Sequence, residues 1–250
     1  MLVKYFLISI LIFGAPGAIQ CHNICNFTVL VSQKLNNNGF HRNLTYDVLL
    51  ENPSVDKKEK LYLYDGCELV LVQVFPSGVF VNPDELNDLR RSEKLNAYPS
   101  TRVNIEAPME YAQPTNVTAY IFTNVSHNIV NTWLPVHARY HKAVEGGGFA
   151  KNELGGPRVV LHCSDHRLHQ CDLPLKPKTL FCAREPDICP WKEVVPRMAN
   201  QVLIWPVPVG NLDYYNITSL VTLGVVIAGS IALMIAIHKH KVAYRKRNCD

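Results

Sequence analysis

The chain has 250 residues, 48% apolar and 18% charged, with a formal net charge of +4. That balance excludes an intrinsically disordered chain, and so small an excess of charge is no footprint for a nucleic-acid binder. Part of the excess sits in the last twelve residues, KHKVAYRKRNCD, where five Lys and Arg stand against Asp250 alone, so the remainder is less basic than a pI of about 8.6 implies.

In chain order, the N-terminus MLVKYFLISILIFGAPGAIQC places Lys4 before an apolar run from Tyr5 to Phe13, followed by Gly14, Ala15, Gly17 and Ala18. This is the layout of a secretory signal peptide, with cleavage after Gly17 or Gln20; the run is too short to span a bilayer. Residues 1–20 are assigned to it. Residues 21–213 are read as a lumenal β-rich domain, 217–238 as a transmembrane helix and 239–250 as a cytosolic basic tail.

Within 21–213, short runs rich in β-branched and aromatic residues recur: CNFTVLVSQ, LTYDVLL, CELVLVQVF, RVNIEA, NVTAYIFTNVS, VHARYH, RVVLHC and QVLIWPV. Many lie about ten residues apart, bounded by Asn, Pro, Gly or Ser, which predicts an antiparallel all-β sandwich. One helix is expected at NPDELNDLRRSEKL, with Asn82 as N-cap, Pro83 in the first turn, and Asp84 and Glu85 complementing the helix dipole. The stretch EGGGFAKNELGG (145–156) reads as a flexible loop between strands, because it lacks the Lys-Ser/Thr of a phosphate-binding loop.

LPVHARYH (134–141) sets two histidines four residues apart around an arginine. On a strand, Val136, Ala138 and Tyr140 point one way and His137, Arg139 and His141 the other. His137 and His141 then stand about 13 Å apart, too far to share one metal ion, so the polar stripe reads as a surface for a partner. No metal, cofactor or catalytic residue is expected here.

The chain has eight cysteines. Cys249 lies in the tail; Cys25, Cys67, Cys163, Cys171, Cys182 and Cys189, with Cys21 if cleavage precedes it, fall on the oxidising side and are disulfide candidates of open connectivity. LHCSDHRLHQC (161–171) gathers His162, Cys163, His166, His169 and Cys171, but its spacing matches no standard zinc pair and disulfides are the expected fate of its cysteines. Glycosylation sequons begin at Asn26, Asn43, Asn116 and Asn124; a further one at Asn216 lies against the membrane, and Asn52 is excluded by Pro53. The chain has no G-x-S-x-G, no H-E-x-x-H and no D-x-D, so enzymatic activity is not expected.

Leu220 to Ile237 carries no charge and as a helix is about 27 Å long, matching the thin endoplasmic reticulum bilayer. Tyr214 and Tyr215 sit at the headgroup edge, and the basic tail orients the N-terminal side out of the cytosol. Gly224, Ala228, Ala232 and Ala236 form a small-residue ridge on one helix face, which suits close approach of another membrane helix.

Four blocks, FHRNL (40–44), FPSGVFVNPDEL (75–86), IEAP (105–108) and WLPVHARYH (133–141), in that order before one C-terminal membrane helix, resemble the X-class subunits of phosphatidylinositol-glycan biosynthesis, related to the Pbn1-type proteins. Family members often carry Asp-Pro where this chain has Asn82-Pro83, and Tyr where Phe80 stands; segment 145–190 maps onto nothing in the resemblance. The resemblance implies a non-catalytic, cofactor-free endoplasmic reticulum protein. It would bind and maintain the multi-spanning catalytic subunit of GPI mannosyltransferase I, which adds the first mannose from dolichol-phosphate-mannose to the GPI precursor. The alternative reading of the same topology is a single-pass cell-surface receptor or adhesion protein with an Ig-like ectodomain.

Overall fold

A computed structural model describes residues 25–52, 63–112, 117–168, 171, 191–200 and 202–247. The signal peptide, Cys21, Asn116, His169, Cys182, Cys189 and Cys249 lie outside the described residues. The elements in order are β1 (Thr28–Asn36), β2 (His41–Glu51), β3 (Glu68–Phe75), β4 (Val79–Phe80), α1 (Pro83–Arg91), β5 (Asn96–Pro99), β6 (Val117–Asn124), β7 (Ile129–Ala138), β8 (Gly148–Gly155), β9 (Arg158–His162), β10 (Lys192–Val194), β11 (Arg197–Met198), β12 (Val202–Val209) and α2 (Tyr215–Arg247).

The all-β expectation holds. Two five-stranded sheets, β11-β1-β2-β7-β4 and β10-β9-β3-β6-β5, are joined by a two-stranded ribbon, β12-β8. Every pairing between strands is antiparallel except the short β1–β11 contact. The β1–β2 hairpin turns through Asn37 and Gly39, both at positive φ, where Asn and Gly are the residues of least strain. In the first sheet the period-two pattern sends Val29 and Val31, Leu44, Tyr46, Val48 and Leu50, and Leu134 and Val136 inward. Leu69, Leu71, Phe75, Ile121 and Leu161 face them from the second sheet in one core. β3 is buried on both faces, because Val70 and Val72 pack with Val160 and Trp191 on the side away from that core. Its unbroken apolar run in the sequence reflects this.

Polar side chains between the sheets are paired, whereas Gln33 Oε1, Trp205 Nε1 and Arg139 Nε are buried without a hydrogen-bond partner among the described residues. Tyr46 donates its hydroxyl to Gln73 Oε1 at 2.9 Å, sheet to sheet, and the Gln73 amide donates to Gly155 O at 3.0 Å. Burial pushes the Tyr46 hydroxyl pKa up, so it remains a donor. Residues 145–156 correct the sequence reading: 145–147 and Gly156 lie outside regular structure, and 148–155 is β8. The ribbon drives Leu154, Trp205 and Val207 into the main core, and Trp205 is wholly buried. RVNIEA is a second correction. Residues 102–107 are irregular chain, held by Val103 and by the Ala107 carbonyl rather than by a ladder.

Two disulfides join Cys25 to Cys171 and Cys67 to Cys163. The second flanks the β3–β9 pairing at Glu68 and His162. Both cysteines of the LHCSDHRLHQC segment are thus in disulfides. The helix α2 runs through the predicted span and on through the basic cluster to Arg247, 33 residues or about 50 Å. Leu212–Lys241 is long and apolar enough to cross a membrane, and none of it is buried within the chain.

Candidate functional site

Register builds the site. β2 sets His41 opposite His137 on β7, and β4 sets Phe80 opposite the same His137 from the other side. The three rings form a row across the face of the sheet turned away from the core, with centroids 4.2 Å and 5.1 Å apart. α1 begins two residues after β4. The Asn82 side chain caps it by accepting from Asp84 N at 3.0 Å, Pro83 fills the first turn, and Leu86 is buried in the core, which fixes the helix rotation. That rotation hangs Glu85 over the ring row. Glu85 Oε2 lies 2.7 Å from His137 Nε2, and Oε1 lies 3.2 Å from His41 Nε2.

The ligand atoms of His41, Glu85 and His137 all lie within 4.8 Å of one another, and two imidazoles with a carboxylate are a set that zinc accepts. At 2.7 Å, however, the His137–Glu85 pair stands at hydrogen-bond distance. Two ligands each ~2.05 Å from a tetrahedral ion would be about 3.3 Å apart. As it stands, the arrangement is a carboxylate shared by two imidazoles, and it ties α1 to the β2–β7–β4 edge. Among the described residues, no serine, threonine or cysteine is hydrogen-bonded to either imidazole.

The expected stripe of His137, Arg139 and His141 divides into three environments. β7 ends at Ala138, where Arg139 N donates to Gly78 O at 2.8 Å and the Tyr140 carbonyl accepts from Met109 N at 2.9 Å. The alternation breaks there. Arg139 turns inward and is only 5% exposed, whereas Tyr140, expected inside, is 74% exposed. The Arg139 guanidinium lies over the Phe80 ring at 4.5 Å, and Nη1 donates to Ala107 O at 2.6 Å. Burial holds its pKa below the ordinary arginine value. His141 leaves the strand altogether. Its Nε2 lies 3.2 Å from the amide nitrogen of Asn152 on β8, and burial pushes its pKa down. Of the three, His137 alone remains on the sheet's outward face.

Pattern reading along the sequence missed His41, Glu85, Phe80 and Asn152. The signal for the first three lay in the blocks quoted above. FHRNL supplies His41; FPSGVFVNPDEL supplies Gly78, Phe80 and Glu85; IEAP supplies Ala107; WLPVHARYH supplies His137, Arg139 and His141. Stretches up to a hundred residues apart meet at one end of the sandwich. That end leads to the long helix. Val144 N donates to Gly210 O and Leu212 N to Val144 O, each at 3.0 Å, so the segment leaving Arg139 pairs with the chain entering α2. Asn26, Asn43 and Asn124 lie on the surface of the domain.

The fold and the site define a β-sandwich protein with, among the described residues, one helix fit to cross a membrane, and a packed polar cluster whose chain pairs with the segment entering that helix. The chain belongs to the PIG-X / PBN1 family, which it matches over residues 37–238. It is similar to the Homo sapiens protein named "GPI alpha-1,4-mannosyltransferase I, stabilizing subunit", 26% identical over 215 residues, covering 85% of this chain and 81% of that one. The Rattus norvegicus and Mus musculus proteins of the same name are 25% and 26% identical over 215 residues, each covering 85% of this chain and 82% of its own. These relatives are named as stabilising subunits, not catalytic ones, and the reading of this chain as a non-enzyme rests on that kinship.

Proposed function

We propose that the chain is a non-catalytic, stabilising subunit of GPI mannosyltransferase I. It binds and maintains the multi-spanning catalytic subunit that transfers the first mannose from dolichol-phosphate-mannose to the GPI precursor. The observation that carries the reading is the family match, which spans both the β-domain and the long helix, together with the names its relatives carry. Physically, a protein that binds only the folded form of a partner raises the partner's stability by mass action and needs no chemistry of its own.

On this reading residues 1–20 are a cleaved signal peptide, 21–213 are lumenal, 217–238 cross the endoplasmic reticulum membrane, and 239–250 form a cytosolic tail. The docking surfaces are the outward His137 row and the ridge Gly224, Ala228, Ala232 and Ala236. A Cβ built on Gly224 meets nothing within 4 Å, so within this chain nothing fills the groove that a partner helix would occupy. No metal or cofactor is involved. Family membership favours this reading over a cell-surface receptor.

The test is affinity purification of the full chain from membranes, with identification of co-purifying multi-spanning proteins and endoglycosidase H treatment of its glycans. A mannosyltransferase subunit and fully sensitive glycans are expected. Resistant, complex glycans on the steady-state pool without that subunit would return the receptor reading.

A further inference from the structure

Beside the His41–Glu85–His137 row lies a cleft of about 670 Å³ between the β4 edge and the irregular segment 101–112. Arg139 and Arg102 line it, with Ser77, Thr101, Asn104 and Tyr111 among the polar groups and no carboxylate. Arg139 is the unusual member. It is more than nine-tenths buried, Nη1 is the one guanidinium atom with a hydrogen bond, and Nε is sealed from solvent without a partner. No acidic side chain among the described residues pairs with it. A buried cation is normally paired, because desolvation is costly and an unmade hydrogen bond adds to that cost. Phe80 and one carbonyl offset only part of it.

The geometry points to a phosphate-binding site in this cleft, in which Arg139 and Arg102 take a phosphate monoester or diester and the Ser77, Thr101 and Tyr111 hydroxyls take its remaining oxygens. The guanidinium fork matches phosphate oxygens in pairs, and a ligand with several acceptors suits a wall whose polar side chains all carry donors, set among Val79, Val103, Ile105 and Ala112. The volume falls in the range of small-ligand sites and exceeds what one partner carboxylate fills. Position bears on the source of the phosphate. Arg139 precedes Val144 by five residues, at most about 18 Å of chain, and Val144 pairs with the segment entering α2. The cleft is thus linked by a short run of chain to the segment entering α2, and on the membrane-spanning reading of that helix lipid headgroups are a source of phosphate beside soluble esters.

The experiment uses the full chain in detergent, with unfolding followed by tryptophan fluorescence. Two probes are titrated separately against sodium chloride of matched ionic strength: inorganic phosphate, and dihexanoyl phosphatidylglycerol below its micelle concentration. A saturable rise in Tm is expected. Arg102→Gln, at an exposed side chain whose loss leaves the fold intact, should weaken the apparent affinity about tenfold, the effect of one charge-assisted contact. Arg139→Lys keeps the charge, removes the fork and should weaken it at least as much; if that variant does not fold, Arg102→Gln alone decides. A rise with both probes identifies the phosphate group itself as the ligand, and a rise with the lipid alone identifies a headgroup site. No saturable rise with either, or a rise that Arg102→Gln leaves unchanged, overturns the site and leaves an acidic group of a protein partner as the mate of Arg139.

Discussion

His141 and Gly78 show how single residues hold the end of the sandwich together. The Asn152 amide nitrogen can only donate, so His141 Nε2 accepts and the imidazole is neutral, in keeping with a pKa pushed down by burial. The sign follows from linkage. The folded form binds the proton less readily than the unfolded chain, whose histidine titrates near 6.5, so this contribution is intact above about pH 6.5 and is lost as pH falls below it. His141→Gln should make stability less steep between pH 7 and 5.5 than in the native chain, as read by chemical denaturation at a series of pH values; an unchanged slope would dismiss the contact. Gly78 sits where the chain turns, with Val79 N bonded to Pro76 O at 3.0 Å. A Cβ there would overlap the Asn152 side-chain oxygen and press on His141 Cε1 at 2.9 Å. Gly78→Ala is therefore expected to cost about 1–3 kcal/mol, the usual range for overpacking, seen as a fall in the denaturation midpoint at unchanged slope. In the double variant with Asn152→Ala the loss should shrink, since the flexible end that must move is gone.

At the scale of elements, the Cys67–Cys163 bridge closes a loop across 96 residues beside the β3–β9 pair. Replacing both cysteines by serine should destabilise the domain by about 2–5 kcal/mol, and in cells should show as a fall in the amount of folded chain; equal abundance and equal melting would mean the bridge is dispensable. How far the elements could be read from sequence depended on what they bury. The strands at 28–36, 44–50, 68–75 and 158–162 carry regular apolar alternation or unbroken apolar runs, and helix α1 announces itself by Asn82, Pro83 and two acids. β8 does not. Its inward residues include Asn152, satisfied by His141, and glycines stand at both its ends, so an ordered strand reads as a loop. The break after Ala138 was equally hidden. Nothing local in HARYH says that the ladder stops there; the cause is the capture of Arg139 N by Gly78 and of the Tyr140 carbonyl by Met109, both partners distant in sequence. For the same reason the polar cluster was legible only as scattered family-like blocks. Their meeting is a product of sheet register, which no single stretch encodes.

The whole molecule consists of a β-domain with its own core and a long helix that lies outside it. The β-domain packs its core in two clusters and carries two disulfides among the described residues, whereas the membrane-fit portion of α2 buries none of its apolar window within the chain. Its one polar side chain in mid-span, Ser230, is satisfied internally by donating to Val226 O at 2.8 Å. Lipid already solvates the Leu, Ile and Val of such a helix, so a specific neighbour must gain by close approach, which the small-residue face of Gly224, Ala228, Ala232 and Ala236 allows. Gly224→Leu with Ala228→Leu adds bulk to that face and leaves hydrophobicity high enough for insertion. Val226→Leu with Ile227→Leu makes a comparable change off the ridge. If the ridge seats the catalytic subunit, the first pair should lower that subunit's steady-state level several-fold while this chain is expressed normally, because each 1.4 kcal/mol of lost binding is a tenfold change in affinity. The second pair should leave the level near that of the native chain. Quantitative immunoblotting of both proteins in the same cells reads the outcome. Equal partner levels across both pairs would place the association in the β-domain, at the His41–Glu85–His137 row, and Glu85→Ala would then be expected to lower the partner where the ridge variants do not.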